Sequence, residues 1–330
     1  MSLVLKAAIG RQARLSAIVG SFFLTACSSI PSDTAGEEYA LLPTTHELSH
    51  LPFYPQIEDQ CGPASLATML SARDIFISPE SLREKIYIPG KEGSLTTEIV
   101  ARARKFGMLV YPLQPELPDI LKEISVGNPV LVMQNLGYNW LPRWHFSVVI
   151  GYDLERRTVI LRSGNEKSHE VTFDLFLRTW QRAARWAVVI TKPEELPGTA
   201  DESVYINAAN ELEQVGEFES ALSAYETALE RWPGNTLAYF GAANSAYALD
   251  DFGQAYAFYS LYLQLRPDSA EGWNNLAYSL MQMQCPAQSL AAINCALLLE
   301  PENGDFRGSL QELSNQGSNY QATACPVVDC

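Results

Sequence analysis

Apolar positions along the 330-residue chain fall into three different rhythms. The first is an unbroken run, 15-LSAIVGSFFLTA-26, preceded by Lys6, Arg11 and Arg14. It is too short to span a bilayer comfortably and ends in small residues, the layout of a secretory signal. The second begins where Leu66, Met69 and Leu70 recur at helical spacing, predicting a buried helix over 63–72. Further helices are expected near 79–87, 95–106 and 116–125, the last two stopped by Gly107 and Gly127. Short apolar runs then predict strands: 129-PVLVMQ-134, 145-HFSVVIGY-152, 157-RTVILR-162 and 186-WAVVI-190. Together they predict a mainly antiparallel sheet, with a helix at 173–180 crossing between the last two.

The third rhythm fills the second half. Pro233, Pro267 and Pro301 stand 34 residues apart, each closing an apolar-periodic segment. Twelve residues before each proline stand Ala221, Ala255 and Ser289; eight before stand Tyr225, Tyr259 and Ile293; twenty-eight before stand Tyr205, Tyr239 and Trp273. Small residues let two helices approach, large ones fill the space beside them, and proline ends the second helix. This pattern resembles the tetratricopeptide repeat over about 202–303, with Tyr262 departing from it at a normally small position. Helices are expected near 202–214, 218–231, 236–248, 252–265, 270–282 and 287–299, with a capping helix at 304–315. Such repeats imply a groove that docks a protein partner or peptide, or else a stack that only packs on the first domain. For Tyr239, Tyr247 and Tyr256 the core is the default place.

Charge narrows the partners. The formal net charge is −15, with acids spread along the chain, which argues against nucleic-acid binding. The apolar run leads into 24-LTAC-27, which resembles a bacterial lipoprotein box. The resemblance implies cleavage after residue 26, a lipid on Cys27, a membrane anchor and, with Ser28 following, the outer membrane facing the periplasm. Residues 27–49 then read as a flexible tether, 50–191 as the first domain and 192–201 as a linker. Residues 202–315 form the repeats with their cap, and 316–330 a cysteine-containing tail. In an oxidising compartment Cys285, Cys295, Cys325 and Cys330 are expected in two disulfides, with three connectivities open.

Cys61 is left over. It stands where the approach 50-HLPFYPQIEDQ-60 meets a helix beginning with Gly62-Pro63. At a helix N-terminus the macrodipole and unpaired N–H groups favour a thiolate, and an imidazolium across a groove would hold it further. Gln56 offers an amide for an oxyanion. His145, opening a predicted strand, is the best-placed base. His46 and His50 find no third ligand of matching spacing, His169 reads as solvent-facing, and no glycine-rich phosphate loop follows a strand. Neither metal nor other cofactor is therefore expected. Tyr138, Trp140 and Trp144 are expected to wall a cleft or cap the sheet.

Gln56, 61-CGPASL-66 and 145-HFSVVIGYD-153 resemble the papain-like peptidases that process double-glycine bacteriocin leaders. The likeness is closer to free-standing lipoprotein members carrying tetratricopeptide repeats. The resemblance implies an α+β papain-like domain before an all-α solenoid. It also implies Cys61 as nucleophile, His145 as base and Gln56 as oxyanion donor. Those relatives place their Gln six residues before the Cys, where this chain has Pro55, and an Asp or Asn on the strand after the His. Here 161-LRSGNEKSHE-170 has no Asp; Asn165 is the suitable group and Ser163 stands near the expected position. The implied activity is a periplasmic cysteine peptidase, with amide-acyl transfer chemically adjacent. An inactive papain-like binding or assembly lipoprotein is the alternative.

Overall fold

The computed structural model describes residues 39–56, 60–86, 94–316 and 325–330. The signal segment, Cys27 and the tether up to residue 38 lie outside the described residues. Among the described residues no helix is long and apolar enough to cross a membrane.

The first half is an α+β domain. Its elements are β1 (Thr45–Glu47), α1 (Cys61–Ser71), α2 (Pro79–Ile86), α3 (Thr96–Arg104), β2 (Leu109–Pro112), α4 (Leu117–Ser125), β3 (Val130–Asn135), β4 (Trp144–Asp153), β5 (Thr158–Ser163), β6 (Glu166–Thr172), α5 (Phe173–Gln181) and β7 (Ala187–Thr191). The strands lie in the order β2-β7-β3-β4-β5-β6, every neighbouring pair antiparallel. The far end of β4 also pairs with β1, Thr45 opposite Asp153. Strand formation at Thr45 corrects the expectation of a loose tether through residue 49, since Leu48 and Leu51 are already core residues.

β4 explains the continuous apolar run read from the sequence. Val148, Val149 and Ile150 are all fully buried, as expected for a central strand covered on both faces. α1 is likewise buried all round: every residue from Gly62 to Ser71 is inside. Its C-terminal end is pinned by Arg73, whose Nε donates to Ile190 O at 2.8 Å and whose Nη2 donates to Asn128 Oδ1 at 2.6 Å. Burial pushes this guanidinium below its usual pKa. Anchored there, the helix carries Cys61, its one half-buried residue, at the opposite end.

The second half is all-helical: α6 (Glu202–Gln214), α7 (Phe218–Arg231), α8 (Thr236–Ala248), α9 (Phe252–Leu265), α10 (Ala270–Gln282), α11 (Pro286–Leu299) and α12 (Gly304–Gln316). Ala221, Ala255 and Ser289 are fully buried at the close approaches. Asn235 and Ser269 cap α8 and α10 through the N–H groups of Ala238 and Gly272, contributions of about 1 kcal/mol each. Tyr262, large where the repeat favours a small residue, is buried because position 272 is glycine. A Cβ there would stand 2.7 Å from the Tyr262 ring. Tyr239, Tyr247 and Tyr256 are partly buried against the core. The disulfides are Cys285–Cys325 and Cys295–Cys330.

The two halves are joined firmly. Glu123 on α4 is fully buried, and its carboxylate accepts from four donors. These are Thr199 N (2.7 Å), Thr199 Oγ1 (2.6 Å), Gly198 N (3.1 Å) and Asn128 Nδ2 (2.7 Å). Tyr111 Oη on β2 donates to Thr199 O and accepts from Asp201 N. Arg104 pairs with Glu211, and Lys105 Nζ reaches both Glu217 and the Val215 carbonyl. The linker composition signalled a boundary, and these bonds fix residues 198–201 to the first domain.

Candidate active site

Cys61 is the first residue of α1. The first intrahelical bond runs from Ala64 N–H to the Gln60 carbonyl at 2.9 Å, so the earlier donors point out of the helix end. No acidic side chain lies in the first turn to compete for that positive end. Gly62 is required by packing: a Cβ would lie 2.7 Å from Ser94 Oγ and 3.3 Å from Ile99 Cδ1.

Gln56 brings this helix start to His145. Its Nε2 donates to Ser65 Oγ (3.3 Å), one turn beyond Cys61, and to the carbonyl of Phe146 (3.4 Å), the neighbour of His145. Its Oε1 accepts from Gly164 N at 2.9 Å, and its own N–H donates to the Gly164 carbonyl at 2.9 Å. One side chain thus ties together α1, β4 and the β5–β6 turn. In this structure its amide protons are directed at scaffold acceptors, at 3.3 and 3.4 Å.

His145 sits on β4 opposite Gln134 of β3. Its Nε2 lies 2.8 Å from Ser163 Oγ. Ser163 ends β5 at a register shift against β6, a place where irregular pairing re-aims a side chain. Asn165, named from the sequence as third member, is exposed in the following turn. Gly164 takes positive φ there, and the chain turns before residue 165 can face the ring. Of the two residues left open from the sequence, Ser163 is the one in contact with the ring.

The ring's electrostatics differ from the expected imidazolium. Burial first, then the Arg143 charge and the neighbouring His169, lower its pKa to about 4. Near neutral pH the ring is therefore neutral, suited to accept a proton rather than to hold a preformed ion pair.

Residues not singled out from the sequence continue the network. Ser147 Oγ, fully buried, lies 3.4 Å from Ser163 Oγ and 2.9 Å from Gln134 Oε1. Gln134 Nε2 lies 2.7 Å from Thr179 Oγ1 of α5. A signal was present: Ser147 is the one serine or threonine in β4, two residues from His145 and hence on its face. His46 lies on β1 and His169 on β6, where its Nδ1 pairs with Glu166.

The β3–β4 hairpin is closed by Asn135 Oδ1, which accepts from Gly137 N and Arg143 N at 2.9 Å each. It presents Tyr138 stacked on Trp140, ring centroids 5.7 Å apart, with Trp140 79% and Trp144 53% exposed. The sequence-based alternative of a cap on the sheet does not describe Trp140.

Comparison with known proteins fits this architecture. Residues 48–188 match the family model described as "Peptidase_C39 like family", and residues 212–278 match a tetratricopeptide-repeat model. The chain thus carries a peptidase C39-like domain followed by tetratricopeptide repeats. Among solved structures, a protein named as a C39-like peptidase from Bacillus anthracis shares 18% identity at a TM-score of 0.39, covering 46% of this chain and 98% of its own. The repeat protein YrrB, titled as having an unusual peptide-binding site, shares 27% identity at 0.33, covering 36% of this chain and 61% of its own. The tetratricopeptide domain of Arabidopsis OM64 shares 18% at 0.33, covering 34% and 94%. No curated protein sequence matches the chain.

Proposed function

We propose that this protein is a lipid-anchored cysteine peptidase of the periplasm, its repeats docking a peptide or protein partner. The observation that carries the proposal is the Gln56 clasp, which seats the Cys61 helix start beside the strand of His145, whose ring is in turn held by Ser163. Cys61 Sγ attacks a peptide carbonyl while its proton passes to the neutral His145. The tetrahedral oxyanion is held by backbone N–H groups at the start of α1. His145 then gives its proton to the leaving amine, and the carbon–nitrogen bond breaks. Water, deprotonated by the same ring, hydrolyses the thioester and releases Cys61. The exposed Tyr138–Trp140 pair beside this strand favours substrates with apolar side chains.

The anchor on Cys27 and the outer-membrane location rest on the sequence alone. For the repeats, support comes from a cavity of about 380 Å³ lined by Asn244, Tyr247, Tyr259, Asn275 and Tyr278. Its wall is polar and pre-set, Tyr259 Oη donating to Asn244 Oδ1 and Asn244 Nδ2 to Glu213.

The second reading is an inactive papain-like assembly factor. It is favoured by the ring's surroundings: burial and the Arg143 guanidinium oppose its charged form, and the third position is a neutral hydroxyl. Iodoacetamide separates the two. A peptidase site gives Cys61 alkylation well below the pH at which an ordinary thiol reacts, abolished in His145→Ala. An unreactive thiol in folded protein overturns the peptidase proposal. Changed protein N-termini in a Cys61→Ala periplasm would identify substrates.

A further inference from the structure

The charge of this chain is unevenly divided. Residues 39–201 carry nineteen acidic side chains against seventeen lysines and arginines. Residues 202–330 carry sixteen acidic side chains against three arginines, with neither lysine nor histidine. Those arginines are engaged locally: Arg231 lies over the Trp232 ring, Arg266 pairs with Asp268, and Arg307 pairs with Glu302. Arg104 and Lys105, reaching over from the first domain, meet Glu211 and Glu217.

One of the remaining carboxylates is built into a groove. Beside the cavity of about 380 Å³ around Tyr247 and Tyr278, a second of about 260 Å³ is lined by Asn207, Asn210, Glu213 and Phe240. The two share Asn244, so they run on from one another across α6, α8 and α10, the first helices of three successive repeats. Glu213 is half-buried there, its Oε2 accepting from Tyr225 Oη at 2.9 Å and its Oε1 from Asn244 Nδ2 at 3.2 Å. Gly241 makes room for the first of these bonds, since a Cβ there would stand 2.5 Å from Tyr225 Oη. Burial pushes the Glu213 carboxyl above its usual pKa; the two hydrogen bonds oppose this, and no cation contributes. A carboxylate partly withdrawn from water without a counter-charge is costly, and an occupant that brings one relieves the cost.

The phenols of the wall ask for the same kind of occupant. Tyr225 gives its proton to Glu213, Tyr259 to Asn244 Oδ1, and Tyr278 to Glu312. A phenol has one proton to give, so these three meet an occupant as acceptors. Ammonium and guanidinium groups suit such a wall, whereas an acidic segment meets like charge and no cation.

We propose that the groove along α6, α8 and α10 docks a basic protein segment, with one lysine or arginine side chain seated on Glu213. This deepens the docking role proposed for the repeats and rests on it; it does not depend on the reactivity of Cys61.

The test presents the immobilised full chain, at physiological salt, with a randomised octapeptide library whose amino ends are acetylated, and sequences what is retained. The expected pool is enriched in lysine or arginine at one position and depleted in aspartate and glutamate. Glu213→Gln removes the charge and keeps an acceptor for Tyr225. It is expected to reduce that enrichment about tenfold, the loss of one charge-assisted hydrogen bond. Asn207→Lys, at an exposed position lining the same cavity, brings a tethered ammonium to the groove and is expected to do the same. It decides the matter if Glu213→Gln does not fold. A retained pool without lysine or arginine enrichment overturns the inference and leaves peptide docking standing. Enrichment unchanged in Glu213→Gln also overturns it, assigning the attraction to the general negative charge of the repeats. No retained peptide at all sinks the docking role along with it.

Discussion

His145 Nε2 and Ser163 Oγ stand 2.8 Å apart, so the group that steadies the candidate base is an uncharged hydroxyl. Ser163→Asp should therefore change the chemistry more than the shape. A carboxylate at that distance favours the charged ring, raising its pKa by about 1–3 units from the value near 4. Titrating the His145 ring signals by NMR measures it, and Cys61 alkylation should begin at lower pH in the variant. An unmoved midpoint would mean that residue 163 does not face the ring in solution.

The same ring makes stability depend on pH. Its folded-state pKa, about 4, lies below the unfolded value near 6.5. The unfolded chain therefore takes up a proton that the folded one refuses. The contribution is full above about pH 6.5 and is lost as pH falls toward and through 4, on the order of 3 kcal/mol in total. Urea unfolding at pH 7 and pH 4 should show wild type losing about that much more than His145→Gln.

Gly62→Ala should cost about 1–3 kcal/mol, because the new methyl enters space held by Ser94 and Ile99. Thermal unfolding measures the loss, and Ser94→Gly in the same chain should return part of it. If the double variant recovers nothing, the helix start is not limited by that contact.

Glu123→Ala leaves the amides of Gly198 and Thr199 without their acceptor. A loss of about 3 kcal/mol or more is expected, as for other buried charged clusters with one partner removed. Hydrogen exchange should rise at residues 198–201 before it rises in β4. Uniform exchange across the chain would deny the local role.

Much of this protein was legible in its sequence. The repeat helices were, since a 34-residue period in proline, small and aromatic positions leaves little freedom. So were β3, β4, β5 and β7, whose apolar runs fill a two-sided core. β1, β2 and β6 were not: three or four residues carry no rhythm, and β6 is an edge strand with Val171 alone buried. Cys61 and His145 stood out by residue type and place. Asn165 and Ser163 were both open as the third member, since a count along the chain does not show that Ser163 contacts the ring while Asn165 is exposed in the turn after it. Gln56 was found, but its bonds to Ser65, Phe146 and Gly164 cross distances no local pattern records. The contacts among Thr179, Gln134, Ser147, Ser163 and His145 join three strands and a helix, so they exist only once the sheet has closed.

The buried carboxylate of Glu123 has a mechanical corollary. With residues 198 and 199 clamped to α4 and Arg104 gripping α6, the solenoid is bolted on like a gauge rather than hung on a string. On the peptidase proposal, cargo seated among its helices is offered to the thiol at a set span, making cargo length, as well as side-chain identity, a ground for choosing what is cut.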